Sequence, residues 1–127
     1  METHIWDVRA FKDNLHQYPY INDIKDTVIK GGLVAIPTET VYGLGANAKD
    51  EVAVKKIYEA KGRPSDNPLI VHVHHRKQLD KFVEHIDERV SKLMEAFWPG
   101  PISFILPLKS GYLCETVTGG LNSIAVR

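Results

Sequence analysis

Lys61 and Arg63 stand two apart around Gly62, in the run Lys61-Gly62-Arg63-Pro64-Ser65-Asp66-Asn67-Pro68. Arginine offers a planar fork that matches phosphate oxygens, and lysine offers a compact point charge, so the pair could face one anion. The same cations at a helix C-terminus would equally satisfy carbonyls and the helix dipole. Asn67, between Asp66 and Pro68, could read a base or ribose, or simply close a turn.

A second polar cluster is Thr38-Glu39-Thr40, inside Pro37-Thr38-Glu39-Thr40-Val41-Tyr42-Gly43-Leu44-Gly45-Ala46-Asn47-Ala48. Its last six residues fit the spacing G-x-G-x-x-A of a dinucleotide fingerprint. That motif needs its glycines directly after a strand, whereas Pro37–Tyr42 intervene here. The Walker A spacing is absent as well. Two threonines and a glutamate at a strand end are nonetheless well placed to hold a small polar molecule.

Val71-His72-Val73-His74-His75 is the third candidate. On a strand, His72 and His74 would share one face and His75 the other. An H-x-H strand can ligate zinc only with further ligands, for which Cys114 is the available partner; the alternative is polar strand-end residues, one of which hydrogen-bonds a ligand. Ser123 and Arg127 are four apart on a final strand, hence on one face. Arg127 then needs a partner, a ligand carboxylate or a protein Asp or Glu, because an unpaired buried cation is costly.

The elements that position these groups alternate helix and strand. Ile24, Val28 and Ile29 follow helical spacing between Asn22 and Lys30, with Asn22 or Asp23 as the cap and Gly31-Gly32 as the stop. Leu33–Ile36 is short, apolar and ended by Pro37, the pattern of a buried strand. Pro37–Lys49 is expected to be a loop. Asp50 can cap a helix to about Ala60 with Val52, Ile57 and Tyr58 inward. Gly62, Pro64 and Pro68 forbid continuation of that helix. Strands are expected over Leu69–Val73, Ile102–Leu106 and Ile124–Val126, with amphipathic stretches at Arg76–Val83 and Asp87–Phe97 and a turn at Trp98-Pro99-Gly100-Pro101. This order implies an α/β class with a mixed sheet.

The 127 residues suffice for one domain with its own core. Sixteen basic residues balance sixteen acidic ones, which excludes whole-chain attraction to nucleic acid or anionic membrane. One cysteine permits no internal disulfide, the N-terminus is unlike a secretory signal, and no apolar run approaches the ~20 residues of a membrane span. A cytoplasmic protein is the expectation. Because the chain stops at Arg127 within an apparent strand, an incomplete domain is expected too.

Ala35–Leu44, Ile57–Pro64 with Asn67–His72, Phe97–Pro101, and Val117–Leu121 with Ser123–Arg127 together resemble the YrdC-type threonylcarbamoyl-AMP synthase family. The resemblance implies a YrdC-like α/β fold, a twisted open mixed sheet with flanking helices. It implies an N-terminal extension over residues 1–21 and an incomplete YrdC-like domain over 22–127. It implies further that L-threonine, bicarbonate and ATP give threonylcarbamoyl-AMP and pyrophosphate, with Mg2+ accompanying the nucleotide. A separate complex would then transfer the threonylcarbamoyl group to tRNA. By the same resemblance Thr40, His72 and Arg127 contact threonine, and Lys61, Arg63, Asn67 and Ser123 hold ATP, with Lys61 and Arg63 supplying the catalytic charge. Two other readings stand beside it. One is a double-stranded RNA or tRNA-binding module using Lys55, Lys56, Lys61 and Arg63; the other is a carbamoyl-transfer domain of the hydrogenase-maturation type.

Overall fold

In the computed structural model, residues 2–64 and 67–127 are described; Ser65 and Asp66 of the cationic loop lie outside them. The first elements are two 3-10 turns, Arg9–Phe11 and Leu15–Gln17, and helix α1, Ile21–Ile29. Tyr18 is buried between them, edge-on to Phe11 (5.5 Å) and Tyr20 (5.8 Å). The cap of α1 is Tyr20, without a side-chain bond, so neither Asn22 nor Asp23 performs the expected role. The stop is as expected: Gly31 adopts φ +87°, and the Gly32 N–H donates to Thr27 O at 2.8 Å.

Strands β1 (Val34–Ile36) and β2 (Gly43–Gly45) form an antiparallel pair, with Val34 opposite Gly45 and Ile36 opposite Gly43. Two expectations are corrected here. The segment Pro37–Lys49 is not a plain loop, because its middle turns back as β2. Nor is β1 buried: with one partner only, it leaves Ala35 and Ile36 exposed.

Helix α2, Glu51–Lys61, starts where the Asp50 carboxylate accepts the Ala53 N–H at 3.1 Å, and it ends at left-handed Gly62. Its buried residues are Ala53, Val54, Ile57 and Tyr58. Val52 is 66% exposed, against expectation, because 3.6-residue periodicity puts Val54, not Val52, beside Ile57 and Tyr58. A 3-10 segment, Arg76–Lys81, and helix α3, Glu88–Phe97, follow β3 (Ile70–Val71). Then come β4 (Phe104–Pro107), the short helix α4 (Glu115–Thr118) and β5 (Ser123–Val126).

The second sheet has the order β3-β5-β4, parallel on one side of β5 and antiparallel on the other. The mixed α/β architecture expected from the sequence is therefore present, although divided into a two-stranded ribbon and a three-stranded sheet. One face of the larger sheet carries Val71, Val126, Phe104, Ile124 and Leu106 into a cluster with Val54, Tyr58, Leu79, Phe82, Val83, Met94 and Val117. The other face is open. No helix among the described residues is long and apolar enough to cross a membrane.

Cys114 precedes α4 and packs against this core. Burial pushes its thiol above the ordinary value, and the nearby Glu51 carboxylate adds to the rise. A raised pKa means less thiolate near neutrality, so Cys114 should be alkylated by iodoacetamide at pH 8 more slowly than a free cysteine. The rate should climb only as the pH is raised further. For the core, Ile124→Ala removes a side chain that is 1% exposed in the only strand with two neighbours among the described residues. It should cost about 2–5 kcal/mol in urea unfolding, while Ile105→Ala, at a position 75% exposed, should stay within about 0.5 kcal/mol.

Candidate functional site

The register of β5 assembles the open face row by row. Ile70, Ala125 and Ile105 are directly opposed across the three strands. The Arg127 N–H donates to Val71 O (3.0 Å) and the Val73 N–H donates to Arg127 O (3.0 Å). That pattern sets Arg127 beside His72 in the parallel ladder. On its other side, one step past the Phe104–Val126 pair, is Ser103. The face thus carries a polar row, His72–Arg127–Ser103, next to an apolar row, Ile70–Ala125–Ile105. A further two residues back are Pro68, Ser123 and Pro107.

Arg127 finds protein partners for its charge. Its Nε donates to Ser103 Oγ at 2.9 Å, and its Nη1 donates to Glu39 Oε2 at 3.3 Å. Glu39 reaches it from the Pro37–Tyr42 loop of the β1–β2 hairpin, 88 residues away in sequence. That loop is shaped by Thr38, whose hydroxyl donates to Val41 O and accepts the Thr40 N–H (3.3 Å). Thr40, Val41 and Tyr42 are exposed.

Around the polar row lies a cleft of about 450 Å³ lined by Glu39, His72–Arg76, Met94, Glu95, Trp98–Gly100 and Arg127. The wall from α3 is held by Trp98, whose indole N–H donates to Ile102 O at 2.9 Å and whose ring meets Phe104 edge-on at 5.4 Å. Gly100 is required there, since a Cβ would come within 2.4 Å of Phe97 O.

The alternation expected of His72 and His74 against His75 is not carried through, because β3 ends at Val71; all three histidines line the cleft. The Gln78 side-chain oxygen accepts the N–H groups of His74 (2.8 Å) and His75 (3.3 Å), taking the chain out of the ladder. His75 Nδ1 in turn accepts the Lys77 N–H at 3.0 Å, so that ring caps the 3-10 segment. Among the described residues no group of three His, Cys, Asp or Glu could hold a metal ion.

Arg63 and Asn67 lie at the opposite end of the β3/β5 pair. Lys61 closes α2 and is exposed; the Arg63 Nη2 donates to Pro68 O at 3.1 Å. Its Nε is buried without a partner among the described residues. The Tyr58 hydroxyl donates to Asn67 O (2.8 Å), with Thr116 O 3.0 Å away sharing the proton. The cleft thus brings together His72, Arg127 and Glu39, whereas Thr40, Lys61, Arg63, Asn67 and Ser123 do not line it. From Pro68 to His72 the strand path is about 13 Å. Ser103 carries no motif signal and is legible only from the register; Glu39 was legible as polar but not as the partner of Arg127.

A family model for the Sua5, YciO and YrdC proteins, described as "Telomere recombination", matches residues 26–127. A Pyrococcus abyssi protein named threonylcarbamoyl-AMP synthase is 56% identical over 98 residues, 77% of this chain and 28% of that protein. A Bacillus subtilis protein of the same name is 48% identical over 127 residues, 100% of this chain and 37% of that protein. The chain therefore spans about a third of the length of these curated relatives. Among solved structures, P. abyssi Sua5 complexed with L-threonine superposes with a TM-score of 0.79 at 50% identity, covering 83% of this chain and 31% of that one. Escherichia coli YciO shares the fold, with a TM-score of 0.70 at 24% identity over 84% of this chain and 51% of that one. The chain belongs to the Sua5/YciO/YrdC family.

Proposed function

We propose that this chain contributes the site of an L-threonylcarbamoyladenylate synthase, which joins L-threonine, bicarbonate and ATP and releases pyrophosphate. The observation that carries the reading is the open sheet face. At one end of β3/β5 it has Arg127, a cation already paired with a carboxylate, and a histidine, and at the other end Arg63 is tethered to Pro68, with Lys61 two residues before it at the close of α2. The threonine-complexed relative at 50% identity supports it.

An amino acid and a nucleoside triphosphate lying along the strands would span that separation. Threonine would bind with its carboxylate on Arg127 and its polar side chain near His72 and Thr40. The triphosphate would meet Lys61 and Arg63, with Asn67 and Ser123 beside the nucleotide. The amine of threonine attacks the carbon of bicarbonate, a C–O bond breaks and water leaves to give the carbamate, and a carbamate oxygen would then attack the α-phosphorus in line as pyrophosphate departs. No protein nucleophile is required. The protein's work is to orient the carbamate and to neutralise the leaving phosphates. Arg63 Nε, buried and unpartnered among the described residues, is a donor an incoming phosphate oxygen would satisfy. Mg2+ would be carried chiefly by the phosphates, since that ion needs few protein ligands and no three-residue acidic or histidine cluster is available among the described residues. The product would pass in the cytoplasm to a complex that modifies tRNA.

Pyrophosphate release should require all three substrates together. Arg63→Ala should lower the rate about 10²-fold or more, and Arg127→Ala should chiefly raise the KM for threonine. Pyrophosphate released without threonine, or an Arg63→Ala rate equal to wild type, would sink the assignment.

A further inference from the structure

Glu39 stands where a ligand carboxylate would go. It lines the same cleft as His72 and Arg127, and its carboxylate meets the Arg127 Nη1 through a single contact at 3.3 Å. The pair is accessible: the two side chains are 39% and 28% exposed. The Arg127 Nη2 makes no hydrogen bond among the described residues. The guanidinium therefore offers a free carboxylate a two-pronged seat on Nη1 and Nη2, better than the one-point contact that Glu39 makes. Ser103 Oγ, bonded to Nε, would stay in place through the exchange and keep the fork oriented.

The geometry points to Glu39 as a built-in competitor for the amino-acid carboxylate: it closes the Pro37–Tyr42 loop over Arg127 until a substrate carboxylate displaces it, and its release frees the loop that carries Thr40. The inference rests on the reading of the cleft as the threonine site. The loop can move as a unit, because its internal bonds run from Thr38 to Val41 and Thr40 and do not involve Glu39. Released, the loop can bring Thr40 from its exposed position toward the bound amino acid. Glu39 thereby acts through Arg127, and sets how strongly a carboxylate must bind in order to open the site.

The test compares the whole chain with Glu39→Gln and Glu39→Asp. Each is titrated with L-threonine while binding and the amide hydrogen exchange of Val41–Gly43 are followed by NMR. Glu39→Gln should bind threonine about two- to fivefold more tightly, the worth of a half-exposed ion pair. Glu39→Asp keeps the charge but shortens the reach, so it should bind more tightly as well. Loop exchange should rise on threonine addition in wild type and already be fast in both variants. Equal or weaker binding by Glu39→Gln, or Glu39→Asp behaving as wild type, overturns the competitor role while leaving the threonine site standing. No binding of threonine by any of the three overturns both together.

Discussion

Alternation along a strand with neighbours on both edges is the constraint from which the candidate site follows. Ladder bonds on two sides prevent β5 from rotating about its axis, and the burial of Ile124 and Val126 fixes which way it faces. Ser123, Ala125 and Arg127 are then obliged to point to the opposite side. An arginine delivered to a sheet face by its neighbours' burial cannot retreat into the core, and the desolvation cost of a lone cation makes a partner necessary. Glu39 and Ser103 are those partners here. The core thus orients the site, although none of its side chains carries chemistry.

Local signals were most legible where a single residue type has one physical job. Asp50 at the start of α2 and Gly62 at its end were readable because a carboxylate satisfies orphan N–H groups and only glycine takes a left-handed turn without cost. The face shared by Ser123 and Arg127 followed from period-two geometry alone. The strand β2 was not legible: Gly43-Leu44-Gly45 has poor intrinsic preference for a sheet, and only its pairing with Val34–Ile36 makes it a strand. The histidines misled for a related reason. Period-two arithmetic fails once the Gln78 side chain captures two backbone N–H groups after Val73, and that capture depends on a residue three or four positions away.

The candidate site itself was only partly visible in the sequence. Residue types offered cations suited to phosphates or to a helix end at Lys61 and Arg63, and at Arg127 a cation in need of a carboxylate from ligand or protein. Which of them share a cleft was not encoded locally, because the answer depends on the pairing of β3 with β5, some fifty residues apart. That pairing sends His72 and Arg127 to one end and leaves Arg63 and Asn67 at the other. The strand register explains why the two ends are separated.

The anchoring of the Asn67 loop has its own consequence. Tyr58 grips the carbonyl of Asn67, and Arg63 grips that of Pro68, both backbone atoms that every amino acid supplies. Selection at position 67 is thereby decoupled from architecture: its side chain can be exchanged while the tether persists. Whatever the Asn67 side chain meets, its replacement leaves the two backbone anchors made by Tyr58 and Arg63 intact.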